Sequence, residues 1–173
     1  MATVIEAEPS RVWRALTDLE ELCAWDENLL AAVDSSSGYP CVGTSQRWRY
    51  LLHGVQVVLH ERPLEVAIER RLRSSLALGG MKLDQTYSLV PEGPSRTRLS
   101  IRIVAASSVP VLGATVDRFE VRKLATERVD SLLRALQKWC EADPSTQMCN
   151  SSETQRSGSS KRSPASGARS TVS

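Results

Sequence analysis

The chain has 173 residues, 22 of them basic and 20 acidic, with 41% hydrophobic but only 5% aromatic side chains. From Asp143 onward Ser, Thr, Gly and charge dominate; that stretch lacks the apolar surface to offset its ordering entropy and reads as a disordered, mildly basic tail over 143–173. Setting aside the tail's four basic and two acidic residues leaves 18 of each sign in residues 1–142. A neutral domain of this size argues against a nucleic-acid-binding role, which needs a basic excess.

Four cysteines stand at 23, 41, 140 and 149 without a CxxC pair or a nearby histidine. They read as reduced thiols of a cytoplasmic protein rather than a zinc site or a disulfide scaffold. The longest apolar runs fall far below the ~18 residues of a membrane span, so no stable membrane insertion is expected.

Thr3–Ala7 reads as a short strand. Pro9-Ser10 then opens a helix, with Ser10 as a candidate cap and Val12, Trp13, Leu16 and Leu19 at helical spacing. Thr17-Asp18 gives a second cap signal, and Glu20 and Glu21 follow where the helix dipole favours negative charge. The spacing predicts two short helices with a kink between them, the second ending near Trp25.

After Tyr39-Pro40 the apolar period becomes two. The inner register is even in Ser45–Leu52 (Trp48, Tyr50, Leu52) and odd in Val55–Glu61 (Val55, Val57, Leu59). It is even in Glu65–Ser74 (Val66, Ile68, Leu72). It is odd in Met81–Leu89 (Met81, Leu83, Tyr87, Leu89) and in Thr97–Ala105 (Leu99, Ile101, Ile103). Turns at His53-Gly54, Arg62–Glu65, Gly79-Gly80 and Pro91–Ser95 keep all five sets on one face of one antiparallel sheet.

The opposite face carries Arg47, Arg49, Arg71, Arg73, Arg98 and Arg102. It reads either as a nucleic-acid-reading surface or as a solvated outer face with Glu69 and Asp84 interleaved. The neutral domain and the lack of aromatic residues there favour the second.

Val109–Gly113 breaks the sheet, and a helix from about Thr115 to Ala142 follows. Leu112, Val116, Phe119, Val121, Ala125, Val129, Leu132, Leu136 and Trp139/Cys140 form its apolar stripe, long enough to cross a sheet. Asp130 and Arg134 make an i,i+4 pair on its outer side. The fold class is therefore α+β. A curved antiparallel sheet of six or seven strands wraps a long C-terminal helix, with two short helices after the first strand: the helix-grip layout.

Three stretches, IEAEPSRVWRALTDLEELCAWDENL, YPCVGTSQRWRY and SVPVLGATVDRFEVRKLATERVDSLLRALQKWCE, resemble the START-like (SRPBCC) superfamily, in its polyketide cyclase/dehydrase and lipid-transport branch. The resemblance spans residues 1–142. It implies a cavity between sheet and helix that holds a hydrophobic small molecule, lipid or polyketide-like. In some members that cavity supports cyclisation, aromatisation or dehydration.

Polar interruptions of the inner register are the candidate site. Arg70, Gln85 and Tyr87 read as the polar end of an apolar pocket, able to take a carboxylate, phenolate or carbonyl; the alternative puts the Arg70 head in water at the sheet rim. Trp48, Tyr50 and Phe119 line the pocket, and Trp25 either faces the ligand or plugs the gap between helix and sheet. Trp13 reads as core and Glu61 as a rim residue.

No catalytic residue is assigned. There is no GxSxG, His53 lies in a turn, His60 falls in the outer register, and no acidic partner is spaced for a triad. Neither a metal-ligand set nor a phosphate loop is present, so no metal or cofactor is expected. The leading expectation is a binder or carrier of a hydrophobic small molecule. The alternative is a cyclase, aromatase or dehydratase working without metal or cofactor. A weaker third is an interaction module that uses Lys161-Arg162-Ser163-Pro164. The oligomeric state is left open.

Overall fold

Alternation in the sequence becomes one seven-stranded antiparallel sheet in the computed structural model, which describes residues 1–52, 54–78, 81–105 and 118–142. Side chains are described for all of these except 35, 81, 105 and 118–127. The elements in chain order are β1 (Ala2–Ile5), α1 (Pro9–Thr17), α2 (Leu19–Trp25), β2 (Leu29–Ser35), β3 (Gln46–Leu52), β4 (Val55–Ala67), β5 (Arg71–Leu78), β6 (Met81–Pro91), β7 (Thr97–Ala105) and α3 (Arg118–Glu141). Spatially the sheet runs β1-β7-β6-β5-β4-β3-β2, a meander with the first strand laid on the last.

The two short helices form for local reasons. Pro9 occupies the first turn of α1, where its missing N–H goes unneeded. The cap position falls on Glu8, whose side chain makes no capping bond, so Ser10 is not the cap. Asp18 does cap α2: its carboxylate accepts from the backbone N–H of Glu20 and Glu21 at 2.9 and 3.0 Å. Glu21 then gathers Arg11, Arg14 and the Trp139 indole N–H, tying α1, α2 and α3 together.

Cross-strand partners confirm one apolar face. Leu52 pairs with Val55, Leu72 with Tyr87, and Leu89 with Leu99. The parity change near residue 64 has another cause than the expected turn at Arg62–Glu65. Strand β4 runs straight through it, and a β-bulge between Pro63 and Glu65 shifts the register by one residue. The real turn is Ile68-Glu69-Arg70, closed by the Arg70 N–H on the Ala67 carbonyl at 2.9 Å.

Strand β2 escapes the sequence pattern. Its LLAAVDS has no clean alternation because the β2–β3 register shifts twice, between Leu29 and Ala31 and again between Ala32 and Asp34. The outer arginines meet carboxylates: Arg47 with Asp34, Arg73 with Asp84 at 2.7 Å, Arg98 with Glu92 at 2.5 Å, and Arg71 with Glu65 at 3.4 Å. The outer face is thus interleaved in sign.

The main core lies where α1, α2 and the C-terminal half of α3 pack over β1, β7 and the end of β6. It contains Ile5, Val12, Leu16, Trp25, Leu89, Leu99, Ile101, Leu133 and Leu136. Trp13 and Trp139 pack against it, partly buried. The expected Asp130–Arg134 pair is present on α3. The Gly79-Gly80 turn, Val109–Gly113, the expected start of the long helix and the 143–173 tail with Lys161–Pro164 lie outside the described residues.

Candidate functional site

Away from the main core, the inner face of β3–β6 combines apolar side chains with a few buried polar groups. Glu61 is the most unusual of these. It stands on β4 in the inner register and is only 9% exposed. Its Oε2 accepts from the Trp48 indole N–H at 2.8 Å and from the Tyr39 hydroxyl at 3.2 Å. The Tyr39 and Trp48 rings meet edge to face, with centroids 5.8 Å apart. Burial pushes the Glu61 carboxyl above its ordinary 4.5, while the bonds to the carboxylate pull it partly back. The Ser74 hydroxyl adds to that pull, yet it meets no partner in full hydrogen-bond geometry.

Glu61 is therefore no rim residue. The rim assignment followed from the turn wrongly placed at Arg62–Glu65; with β4 continuous, Glu61 falls in mid-strand between Gln46 of β3 and Leu76 of β5.

A second polar group joins the long helix to the sheet edge. Arg128 Nη2 lies 2.7 Å from both carboxylate oxygens of Asp26, the residue that caps the end of α2. Its guanidinium carbon stands 5.1 Å from the centroid of the Tyr50 ring, a cation–π contact. With the Asn28 amide turned to satisfy its neighbours, its oxygen accepts from Arg128 Nη1 at 2.8 Å and its nitrogen donates to the Leu51 carbonyl at 3.3 Å. Beside this group, Trp25, Asn28, Leu132 and Ala135 line an open cleft of about 240 Å³.

Tyr50 and Tyr87 stand between the two groups. Both phenols are driven far above their usual range, chiefly by burial, and the negative charges of Glu61 and Asp26 add to the shift on Tyr87. Burial, reinforced by Glu61, raises Tyr39 in the same way. At neutral pH all three are neutral hydrogen-bonding groups, not phenolate bases. The buried Cys140 thiol is pushed up to about 12, mainly by burial, which removes it as a nucleophile.

Of the residues singled out from sequence, Trp48, Tyr50, Gln85 and Tyr87 share the inner face. Arg70 does not join them. It sits in the β4–β5 turn, exposed, with Ile68 beside it 72% exposed. The alternation of VAIERRLR simply continued across the turn and misplaced both residues. Trp25 is a member of the core cluster, its indole N–H fixed on the Ala15 carbonyl at 2.8 Å, and it also lines the cleft beside Arg128. The Phe119 side chain lies outside the described ones.

Arg128, Tyr39, Gln46 and Ser74 were not singled out. Arg128 had a readable signal. It interrupts the helical stripe that runs through Ala125, Leu132, Ala135 and Trp139, as a buried polar residue must if it faces the sheet.

The sequence profile of the family described as polyketide cyclase/dehydrase and lipid transport matches residues 1–141. The chain belongs to this family. Solved structures carry the same fold. A START superfamily protein from Mycobacterium smegmatis is 21% identical, with a TM-score of 0.66 over 82% of this chain and 94% of its own. A protein from Thermus thermophilus is 27% identical, with a TM-score of 0.64 over 81% of this chain and 94% of its own. An aromatase/cyclase from Streptomyces sp. R1128 is 12% identical, with a TM-score of 0.60 over 82% of this chain and 91% of its own. No curated protein matches. As a member of the polyketide cyclase/dehydrase and lipid-transport family, the chain has the helix-grip fold expected from its sequence. Among the described residues, no helix is long and apolar enough to cross a membrane.

Proposed function

We propose that this protein binds a hydrophobic small molecule against the inner face of β4–β6. One contrast carries the reading. Inner residues over which α3 and the short helices pack, Leu89, Leu99 and Ile101, are sealed from water. Leu59, Leu78, Leu83 and Tyr87, in the same register further along the sheet, are only half-buried. Apolar surface left in contact with water gains about 25 cal/mol for each Å² that a ligand covers. The family description, which includes lipid transport, supports the same class of ligand.

A second reading, a cyclase or dehydratase, has one observation in its favour. Glu61 is a buried carboxyl with a raised pKa on that face, the kind of group a general acid or base requires. The aromatase/cyclase of the same fold fits this reading, though its low identity speaks for the fold alone.

Native mass spectrometry of protein purified from its own source tests both. Expected is a co-purified apolar molecule that Leu83→Glu no longer retains. Recovery of that molecule chemically unchanged after long incubation removes the enzyme reading. If no apolar molecule co-purifies and none of a panel of apolar probes binds, the binding reading fails.

A further inference from the structure

The buried polar band across β3–β6 holds polar atoms that its own groups do not satisfy. Gln46 faces Glu61 across β3 and β4, and Ser74 faces Gln85 across β5 and β6. Gln46 is fully buried; its Nε2 is spent on the Arg47 carbonyl, and its Oε1 has no partner among the described residues. Ser74, 2% exposed, turns its hydroxyl on Glu61 without meeting any partner in full hydrogen-bond geometry. An orphaned buried polar atom costs on the order of 1–3 kcal/mol, so native proteins keep few of them. Here two flank one carboxyl.

The protein's own donors to that carboxyl are unequal. Trp48 is held in the sheet and bonds at 2.8 Å. Tyr39 arrives on the connection between β2 and β3, and its phenol bonds at the longer 3.2 Å. The Tyr39 ring already stands edge to face on Trp48. It is a phenol resting on an aromatic floor with its hydroxyl on a carboxyl.

We infer that Glu61, Gln46 and Ser74 form a recognition site for a hydroxyl group on an otherwise apolar ligand, and that the Tyr39 phenol occupies the site until such a ligand displaces it. The inference rests on the binding function proposed above and narrows its ligand class. An incoming hydroxyl donates its one hydrogen to Glu61 in place of Tyr39 and accepts from Ser74, whose own hydrogen then has a partner. A carboxylate ligand is disfavoured, because it would face the Glu61 carboxyl and bring no donor.

Titration of the full chain with 2-naphthol, naphthalene and 2-naphthoate tests this. Wild type is expected to bind 2-naphthol about tenfold more tightly than naphthalene, as one charge-assisted hydrogen bond allows, and to bind 2-naphthoate worst. Glu61→Gln should erase most of that preference while keeping the naphthalene affinity. Tyr39→Phe, which removes only the competing hydroxyl, should raise 2-naphthol affinity about threefold and leave naphthalene unchanged.

Equal binding of 2-naphthol and naphthalene by wild type overturns the inference but leaves the apolar pocket standing. So does a preference that survives Glu61→Gln. If Glu61→Gln does not fold, an unchanged 2-naphthol affinity in Tyr39→Phe overturns it alone. If neither naphthalene nor 2-naphthol binds, the proposed function falls and the inference with it.

Discussion

Arg128 and Asp26 join the long helix to the end of α2 across 102 residues of sequence, with one guanidinium nitrogen 2.7 Å from both carboxylate oxygens. The Arg128 side chain is 26% exposed and that of Asp26 10%. Solvent therefore screens the pair only in part, and the loss of one partner strands a largely buried charge.

Arg128→Leu is expected to lower the stability to urea by about 2 kcal/mol, a buried-pair cost discounted for that exposure. Asp26→Asn should cost less, because asparagine still accepts from the guanidinium. In a double-mutant cycle the combined variant should lose clearly less than the sum of the two; strict additivity would mean that the pair contributes nothing of its own.

Glu61 makes stability depend on pH in a predictable direction. Its folded-state pKa lies above the ordinary 4.5, so the folded protein holds the proton more tightly than the unfolded chain. The stabilisation is full below 4.5 and is lost as pH rises through the higher folded value. Glu61→Gln should flatten that part of the profile while the rest of the curve keeps its shape. Urea midpoints measured at steps of pH read the difference; identical slopes in both proteins above 4.5 would refute the assignment.

Glu69 lies in the left-handed region, with φ of 58°, at the tip of the β4–β5 turn. An L-residue with a side chain pays roughly 1 kcal/mol for that conformation, and glycine does not. Glu69→Gly should hold or raise the melting temperature despite the glycine's greater unfolded-state freedom. Glu69→Val, with a branched Cβ in the same place, should lower it by several degrees.

Trp25 tests the distinction between plug and ligand contact. Trp25→Phe removes the N–H that bonds the Ala15 carbonyl and leaves that acceptor unmet, at a cost of about 1–2 kcal/mol. Naphthalene affinity should stay as in wild type. A loss of binding larger than the loss of stability would place the indole against the ligand after all.

The sheet was legible wherever alternation, turn length and burial agreed. Leu72 opposite Tyr87 followed from parity together with a two-residue turn at Gly79-Gly80, because a slip by one residue would have turned a whole strand inside out. Parity could not tell a bulge from a turn. Both change the register near residue 64, and the choice between them decided whether Glu61 sat at an edge or in mid-strand. Arg70 failed for the complementary reason: a pattern of period two does not announce where the strand stops. Tyr39 comes from an irregular connection, and its approach to Glu61 is a tertiary event without a local signature. Arg128 had a local signature, a charged residue interrupting the apolar stripe of the helix.

The two register shifts in β2 also bear on how the protein behaves in concentrated solution. β2 is an outermost strand of the sheet, where free backbone N–H and C=O groups would otherwise form an even ladder. Each shift twists the strand and breaks the spacing of that ladder. A flat strand from another chain then finds no run of matched donors and acceptors on which to grow. The irregularity that hid β2 from sequence reading thus makes this side of the sheet a poor template for aggregation.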